Sequence, residues 1–245
     1  MSNDRNAKPP MPTDGDRVPA ARSTHSEIDE FLSKVKELAP ATRPGPRGRL
    51  LFALDATMSR QPLWDTACQL QAEMFREAAA IGGLDIQLVY YRGLDECQAS
   101  PWVSDARTLI GLMKKVHCEA GETQIERILV HARKEDIKQK VQALVFIGDA
   151  CEENPDTLVI TARKLSLPVF VFEEFQESSD PEVAKVFANI ARLTNGAYCR
   201  FDQGSAKQLT ELLAAVATYA AAGQQALKEI SATNAGAVRL LRQLR

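Results

Sequence analysis

The sequence predicts an α/β fold: a doubly wound, mostly parallel six-stranded sheet with helices on both faces. Three observations carry this expectation. The apolar runs Leu50–Leu54 and Val141–Gly148 are continuous rather than alternating, which is the pattern of parallel strands covered on both sides. Each run stops at an acid, Asp55 in the first case and Asp149 in the second. Strand patterns also alternate along the chain with helical patterns of 10 to 18 residues, the spacing that right-handed crossovers require.

The 245 residues, 45% of them hydrophobic, suit one α/β domain with extensions. No apolar segment approaches the ~20 residues of a membrane span, and Met1–Pro10 lacks the apolar stretch of a signal peptide, so a cytoplasmic location is expected. Five cysteines, an odd number without a Cys-x-x-Cys pair, fit a reducing compartment better than a disulfide framework. The net charge of −2 is unevenly spread: residues 1–49 carry +2 and residues 223–245 carry +3, leaving −7 on the body. An acidic body offers no electrostatic footprint for nucleic acid and is compatible with holding a divalent cation.

Taken in order, residues 1–26 are rich in Pro, Asp, Arg and Ser and read as disordered. Ile28, Phe31, Leu32, Val35 and Leu38 have helical spacing behind a Thr24 or Ser26 cap, and the Pro-rich stretch to residue 47 links this helix to the domain. The domain itself is expected over 48–222. After the first strand, Pro62 opens a helix to about Ala80 that Gly82-Gly83 stops. Leu84–Tyr91 is a second strand, with a short edge strand near Cys97–Ala99. Ser104 caps a helix to about Val116, His117–Glu122 is a loop, and Thr123 begins a helix to about Lys134. Val141–Gly148 is the fourth strand; Pro155 starts a helix to about Leu165, Pro168–Phe172 is the fifth strand, and Pro181–Leu193 is a helix. Ala197–Phe201 completes six strands, Ser205–Ala222 is an Ala/Leu-rich helix, and 223–245 is a basic helical tail.

In such sheets ligands bind beyond the carboxyl ends of the strands, where strand order reverses. With the order 3-2-1-4-5-6, Asp55 and Asp149, 94 residues apart, meet at that point. Asp55, Thr57 and Ser59 are spaced i, i+2, i+4, so an extended backbone projects them to one side. Thr123 opens a helix at the same edge. Carboxylates and hydroxyls are hard oxygen donors, suited to Mg²⁺, or to Mn²⁺ or Ca²⁺, rather than to zinc or copper.

This constellation resembles the von Willebrand factor type A (VWA) domains over roughly 48–222. Their metal-ion-dependent adhesion site (MIDAS) has an Asp-x-Ser-x-Ser after the first strand, a Thr in a central loop and an Asp after the fourth strand. Here these stand as Asp55-Ala56-Thr57-Met58-Ser59, Thr123 and Asp149. The resemblance implies a VWA/Rossmann-like fold and a Mg²⁺ held by Asp55, Thr57, Ser59, Thr123 and Asp149, with one position open for a partner's carboxylate. Thr57 replaces the usual first Ser, and Ala150-Cys151-Glu152-Glu153 replaces the more common Gly-containing turn, placing two acids beside the site.

Other readings of the same residues exist. Asp55, Asp149 or Thr123 singly would serve as helix caps. A haloacid-dehalogenase-like phosphatase also places an Asp after its first strand, but its second acid is replaced here by Thr57 and no lysine-bearing motif precedes Val141. His117, Cys118 and Cys151 suggest zinc but lack regular ligand spacing. His25 and His131 read as solvated, Trp64 and Trp102 as packing or edge residues, and Glu173–Asp180 as an acidic loop in which Phe175 is a candidate partner contact. The expectation is a bacterial-type cytoplasmic protein-interaction module without catalysis. The resemblance adds an acidic residue of a partner protein, such as an AAA+ ATPase or assembly factor, as its ligand. The alternatives are the phosphatase and a metal-free structural scaffold.

Overall fold

The computed structural model describes residues 47–58, 84–175, 180–201 and 206–244. Ser59, the N-terminal segment and the helices expected at 27–38 and 62–80 lie outside the described residues. Six strands form one sheet: β1 (Gly48–Asp55), β2 (Leu84–Arg92), β3 (Glu96–Ala99), β4 (Ala143–Gly148), β5 (Val169–Glu174) and β6 (Tyr198–Phe201). Their order is β3-β2-β1-β4-β5-β6, the order assumed for the sequence reading of the switch point. Only β3 runs antiparallel to its neighbour.

Among the described residues the helices are α1 (Ala106–Met113), α2 (Ile125–Lys138), α3 (Pro155–Ala162), α4 (Pro181–Leu193), α5 (Ala206–Ile230) and α6 (Ala235–Leu241). They cover both faces because successive strand residues point to opposite sides. Leu50, Phe52 and Leu54 of β1 enter a core shared with α1, α5 and α6. Leu51 and Ala53 enter the opposite core, built from Ile125, Leu129, Leu158 and Phe187 of α2, α3 and α4. All eight residues of β1 are buried, which explains the absence of alternation in its sequence. Each Leu or Phe taken fully from water contributes roughly 1.5–3 kcal/mol before the entropy of ordering is charged against it.

Several boundaries differ from the sequence expectation. Asp105 rather than Ser104 caps α1, accepting from the Thr108 N–H at 2.8 Å, while the Ser104 hydroxyl donates to Asp85. Helices α1 and α3 end early, at Met113 and Ala162, in turns. Strand β5 continues through Glu173 and Glu174, 0% and 3% exposed, so the first two acids of the expected acidic loop belong to the sheet. His131 is half-buried rather than solvated, its Nε2 lying 2.8 Å from Gln87 Oε1, and burial lowers its pKa. The basic tail folds back through Gly223, at φ 80° in the region that favours glycine. Leu227, Ala237 and Leu240 consequently join the core at 0% exposure. Among the described residues no helix is long and apolar enough to cross a membrane.

Candidate metal centre

Asp55 is the last residue of β1, and its side chain falls on the same face as Leu51 and Ala53. It is fully buried, and Thr57 and Tyr91 both donate to its carboxylate. The Thr57 N–H donates to Oδ1 at 2.7 Å and the Tyr91 hydroxyl to Oδ2 at 2.9 Å. Tyr91 stands opposite Asp55 in the β1–β2 register and is itself 0% exposed. The backbone beyond β1 is pinned on both sides, by Ala56 N–H to Tyr91 carbonyl and by Glu119 N–H to Ala56 carbonyl. Thr57 is thereby held as a buried bridge partner of Glu119.

Thr123 is 5% exposed and reaches the same edge from the loop before α2. It does not cap that helix. Gln124 occupies the cap position but its side chain makes no capping hydrogen bond; its Nε2 donates instead to the Arg92 and Gly93 carbonyls. The exposed N–H groups of α2 are met from 28 residues away: Glu153 accepts from Ile125 at 2.5 Å and from Glu126 at 2.9 Å. Glu152 forms a reciprocal pair with Thr123, accepting its backbone N–H at 2.9 Å and donating its own to the hydroxyl oxygen at 3.0 Å. The two acids of the unusual post-β4 turn therefore fasten Thr123 and the start of α2 to β4, as acids near a helix N-terminus should. Gly121 completes the fit, because a Cβ there would lie 1.9 Å from the Gly93 carbonyl oxygen.

Asp149 follows β4 directly and is half-buried. The β1–β4 pairing brings Leu54 opposite Ile147, so Asp55 and Asp149 emerge from adjacent strands at the switch point. Burial raises the pKa of Asp55, hydrogen bonds from Thr57 oppose that, and the Asp149 charge raises it further. Tyr91 is pushed up well above the usual phenol range, first by burial and then by Asp55. Glu153 is also raised, by burial against the pull of its backbone hydrogen bonds. Among the described residues no Lys or Arg forms an ion pair with Asp55. A buried acid facing a second acid fits the chemistry of a hard divalent cation, which would favour both ionised forms. Among the described residues no group of three or more His, Cys, Asp or Glu is placed to hold a metal. The expected set has only two carboxylates, however, and draws its other donors from hydroxyls.

No protein-family model matches the sequence, and no curated protein matches it. Solved structures do. A von Willebrand factor type A protein from Catenulispora acidiphila superposes with a TM-score of 0.54 at 14% identity, over 71% of this chain and 43% of that one. The SpRpn10 VWA domain gives 0.52 at 10% identity, covering 66% of this chain and 95% of that one. The vWF domain of the type V pili tip protein Mfa5 from Porphyromonas gingivalis gives 0.53 at 10% identity, covering 71% and 95%. The fold is that of a VWA domain. This chain spans less than half the length of the Catenulispora protein, and its neighbours of VWA fold include pilus proteins.

Within the VWA fold, four of the five expected ligand positions lie on described residues, and all four stand at the carboxyl edge of the sheet: Asp55, Thr57, Thr123 and Asp149. The suggested zinc set is not assembled. Cys118 packs against the core under α5 and Cys151 against the opposite one, so the sheet separates them. Sequence reasoning missed Tyr91 and the clamping roles of Glu152 and Glu153. Tyr91 had no distinctive signal: it stands beside a second tyrosine, Tyr90, in a strand that also carries Asp85, Gln87 and Arg92.

Proposed function

We propose that this domain is a divalent-metal-dependent protein-interaction module. Asp55, Thr57, Ser59, Thr123 and Asp149 would hold Mg²⁺, or Mn²⁺ or Ca²⁺, and the ion would supply a Lewis-acidic position for a Glu or Asp of a partner protein. The observation that supports this reading best is Asp55, wholly buried, beside a second acid and without a basic partner among the described residues. The chain's own contribution is positioning: Tyr91 and the Thr57 N–H orient the Asp55 carboxylate, and Glu152 fixes Thr123. No covalent step is assigned to these residues. A cytoplasmic partner such as an AAA+ ATPase or assembly factor belongs to the same proposal.

A second reading, a metal-free scaffold, is favoured by one observation: both Asp55 oxygens already accept hydrogen bonds and Thr123 is already paired with Glu152. Calorimetric titration of Mg²⁺ and Mn²⁺ into chelator-treated protein separates the two. Saturable binding that disappears in Asp55→Ala is the expected result. Absence of binding in the natural protein would leave the scaffold reading standing.

A further inference from the structure

The sheet ends on one side in β6, and two glutamine side chains close that edge. The β5–β6 ladder uses the carbonyls of Ala197 and Phe201, which accept from the N–H groups of Val171 and Phe175. The backbone groups of the alternate residues, Tyr198 and Arg200, therefore point away from β5. The Gln243 amide meets both groups of Tyr198, accepting its N–H at 2.9 Å and donating to its carbonyl at 3.0 Å, as a residue of an added strand would. Its Nε2 also lies 3.9 Å from Cys199 Sγ. Gln208 of α5 donates to the Arg200 carbonyl at 2.8 Å. Open edges invite pairing with another chain, and native proteins blunt them with charge, proline or a covering element.

Gln243 belongs to a short outer segment rather than to the core. Helix α6 ends at Leu241 and is anchored by Ala237 and Leu240, both 0% exposed. Beyond it Arg242 and Gln243 are exposed and Leu244 is half-buried. Gln243 borders a cavity of about 260 Å³ and Leu244 one of about 170 Å³. Residues 242–244 therefore have room to lift from β6 while α6 stays packed.

We propose that residues 242–244 are a latch that keeps this chain from pairing through β6 with a second copy of itself. With the latch lifted the edge is its own complement. Antiparallel pairing about a two-fold axis sets Tyr198 of each copy opposite Arg200 of the other, and each such pair exchanges both backbone hydrogen bonds. No like charges face each other in this register, and each Arg200 is already matched by Glu173 of its own sheet at 3.1 Å. Within one copy Arg200 Nε donates to the Tyr198 hydroxyl at 2.8 Å, so the cross-strand pair joins side chains of proven compatibility. Tyr198–Phe201 contains no proline that would obstruct the pairing. Cys199 falls on the axis opposite its counterpart, a non-hydrogen-bonded position with Cα atoms about 4.5 Å apart, which a disulfide can span.

The test compares the natural chain with Gln243→Ala and with an opened chain that lacks residues 242–245 and carries Gln208→Ala. Sedimentation velocity in reductant, over a concentration series, should show self-association of the opened chain beyond that of the natural one. After the reductant is removed, diamide takes two electrons and two protons from each pair of thiols that joins, and peptide mapping reads the register. A Cys199–Cys199 link between copies should form in the opened chain and not in the natural one, and Cys199→Ser in the opened chain should abolish the link while association persists. Gln243→Ala, which alters only an exposed side chain, should speed amide exchange at Tyr198 about fivefold in dilute solution, the scale of one net hydrogen bond. An opened chain that stays monomeric, a Cys199 link that forms equally in the natural chain, or unchanged exchange at Tyr198 in Gln243→Ala would each overturn the proposal. Association of the opened chain without the Cys199 link would overturn it as well, by placing the contact elsewhere.

Discussion

Replacing Tyr91 by Phe isolates one hydrogen bond at the heart of the site. The Tyr91 ring is fully buried and tilted against Phe146 with centroids 6.3 Å apart, so Phe retains the packing and only the hydroxyl is lost. That hydroxyl donates to Asp55 Oδ2 at 2.9 Å, and Asp55 is 0% exposed. The variant therefore strands a charged acceptor where water does not reach. A hydrogen bond to a charged group is worth about 1.5–3 kcal/mol, so a loss of about 2 kcal/mol is expected. For a chain of this size that corresponds to a fall of about 4–8 °C in Tm.

The loss should depend on pH in a defined direction. Asp55 has a folded-state pKa raised above its unfolded value, chiefly by burial, so its protonated form contributes stability at low pH that is lost as pH rises through the raised value. Tyr91 opposes this by favouring the ionised form. The difference between the natural protein and Tyr91→Phe should be largest above the raised Asp55 pKa and should shrink as pH falls through it. Thermal unfolding followed by circular dichroism, in chelator at pH 7.5 and again in mildly acidic buffer, reads both effects. A fall below 1 °C, or an equal fall at both pH values, would refute the assignment of Tyr91 as donor to an ionised Asp55.

The Glu153→Ala variant should cost about 1–2 kcal/mol by removing the carboxylate that accepts from Ile125 and Glu126, measurable by urea denaturation. Faster amide exchange at those two residues would identify the cause as a lost cap rather than general loosening. At Gly236, a Cβ would lie 2.6 Å from the Glu211 backbone, so Gly236→Ala should force α6 off α5 and cost about 1–3 kcal/mol in the same assay. Unchanged stability there would mean that the helix pair is not packed as closely as described.

The elements that were legible in the sequence are those whose periodicity is set by burial alone. β1 and β4 read as continuous apolar runs because both their faces are covered, and α4 read correctly from Pro181 to Leu193 because its cap, its proline and its apolar stripe all lie within it. Asp55 and Asp149 were legible because an abrupt acid after an apolar run has little to do except finish a strand at a polar edge. The errors fall where a distant residue overrides local preference. Thr123 has the chemistry of an N-cap, yet the cap is supplied by Glu153 across the β4 turn and Thr123 is turned toward Glu152. Glu173 and Glu174 read as loop because two acids rarely enter a strand. Glu173 is accommodated there by the Tyr198 hydroxyl and Arg200 on β6, neither of which the local sequence announces.

By itself the sequence determined the α/β class and the acids that end β1 and β4, because these follow from hydrophobic periodicity; the strand order, assumed there, was decided by the structure. Only the tertiary structure decided what surrounds those acids. Tyr91 lies 36 residues from Asp55, and Glu152 lies 29 from Thr123. Hydrogen bonds act over about 3 Å of space, so sequence separations of this kind leave no local pattern to read.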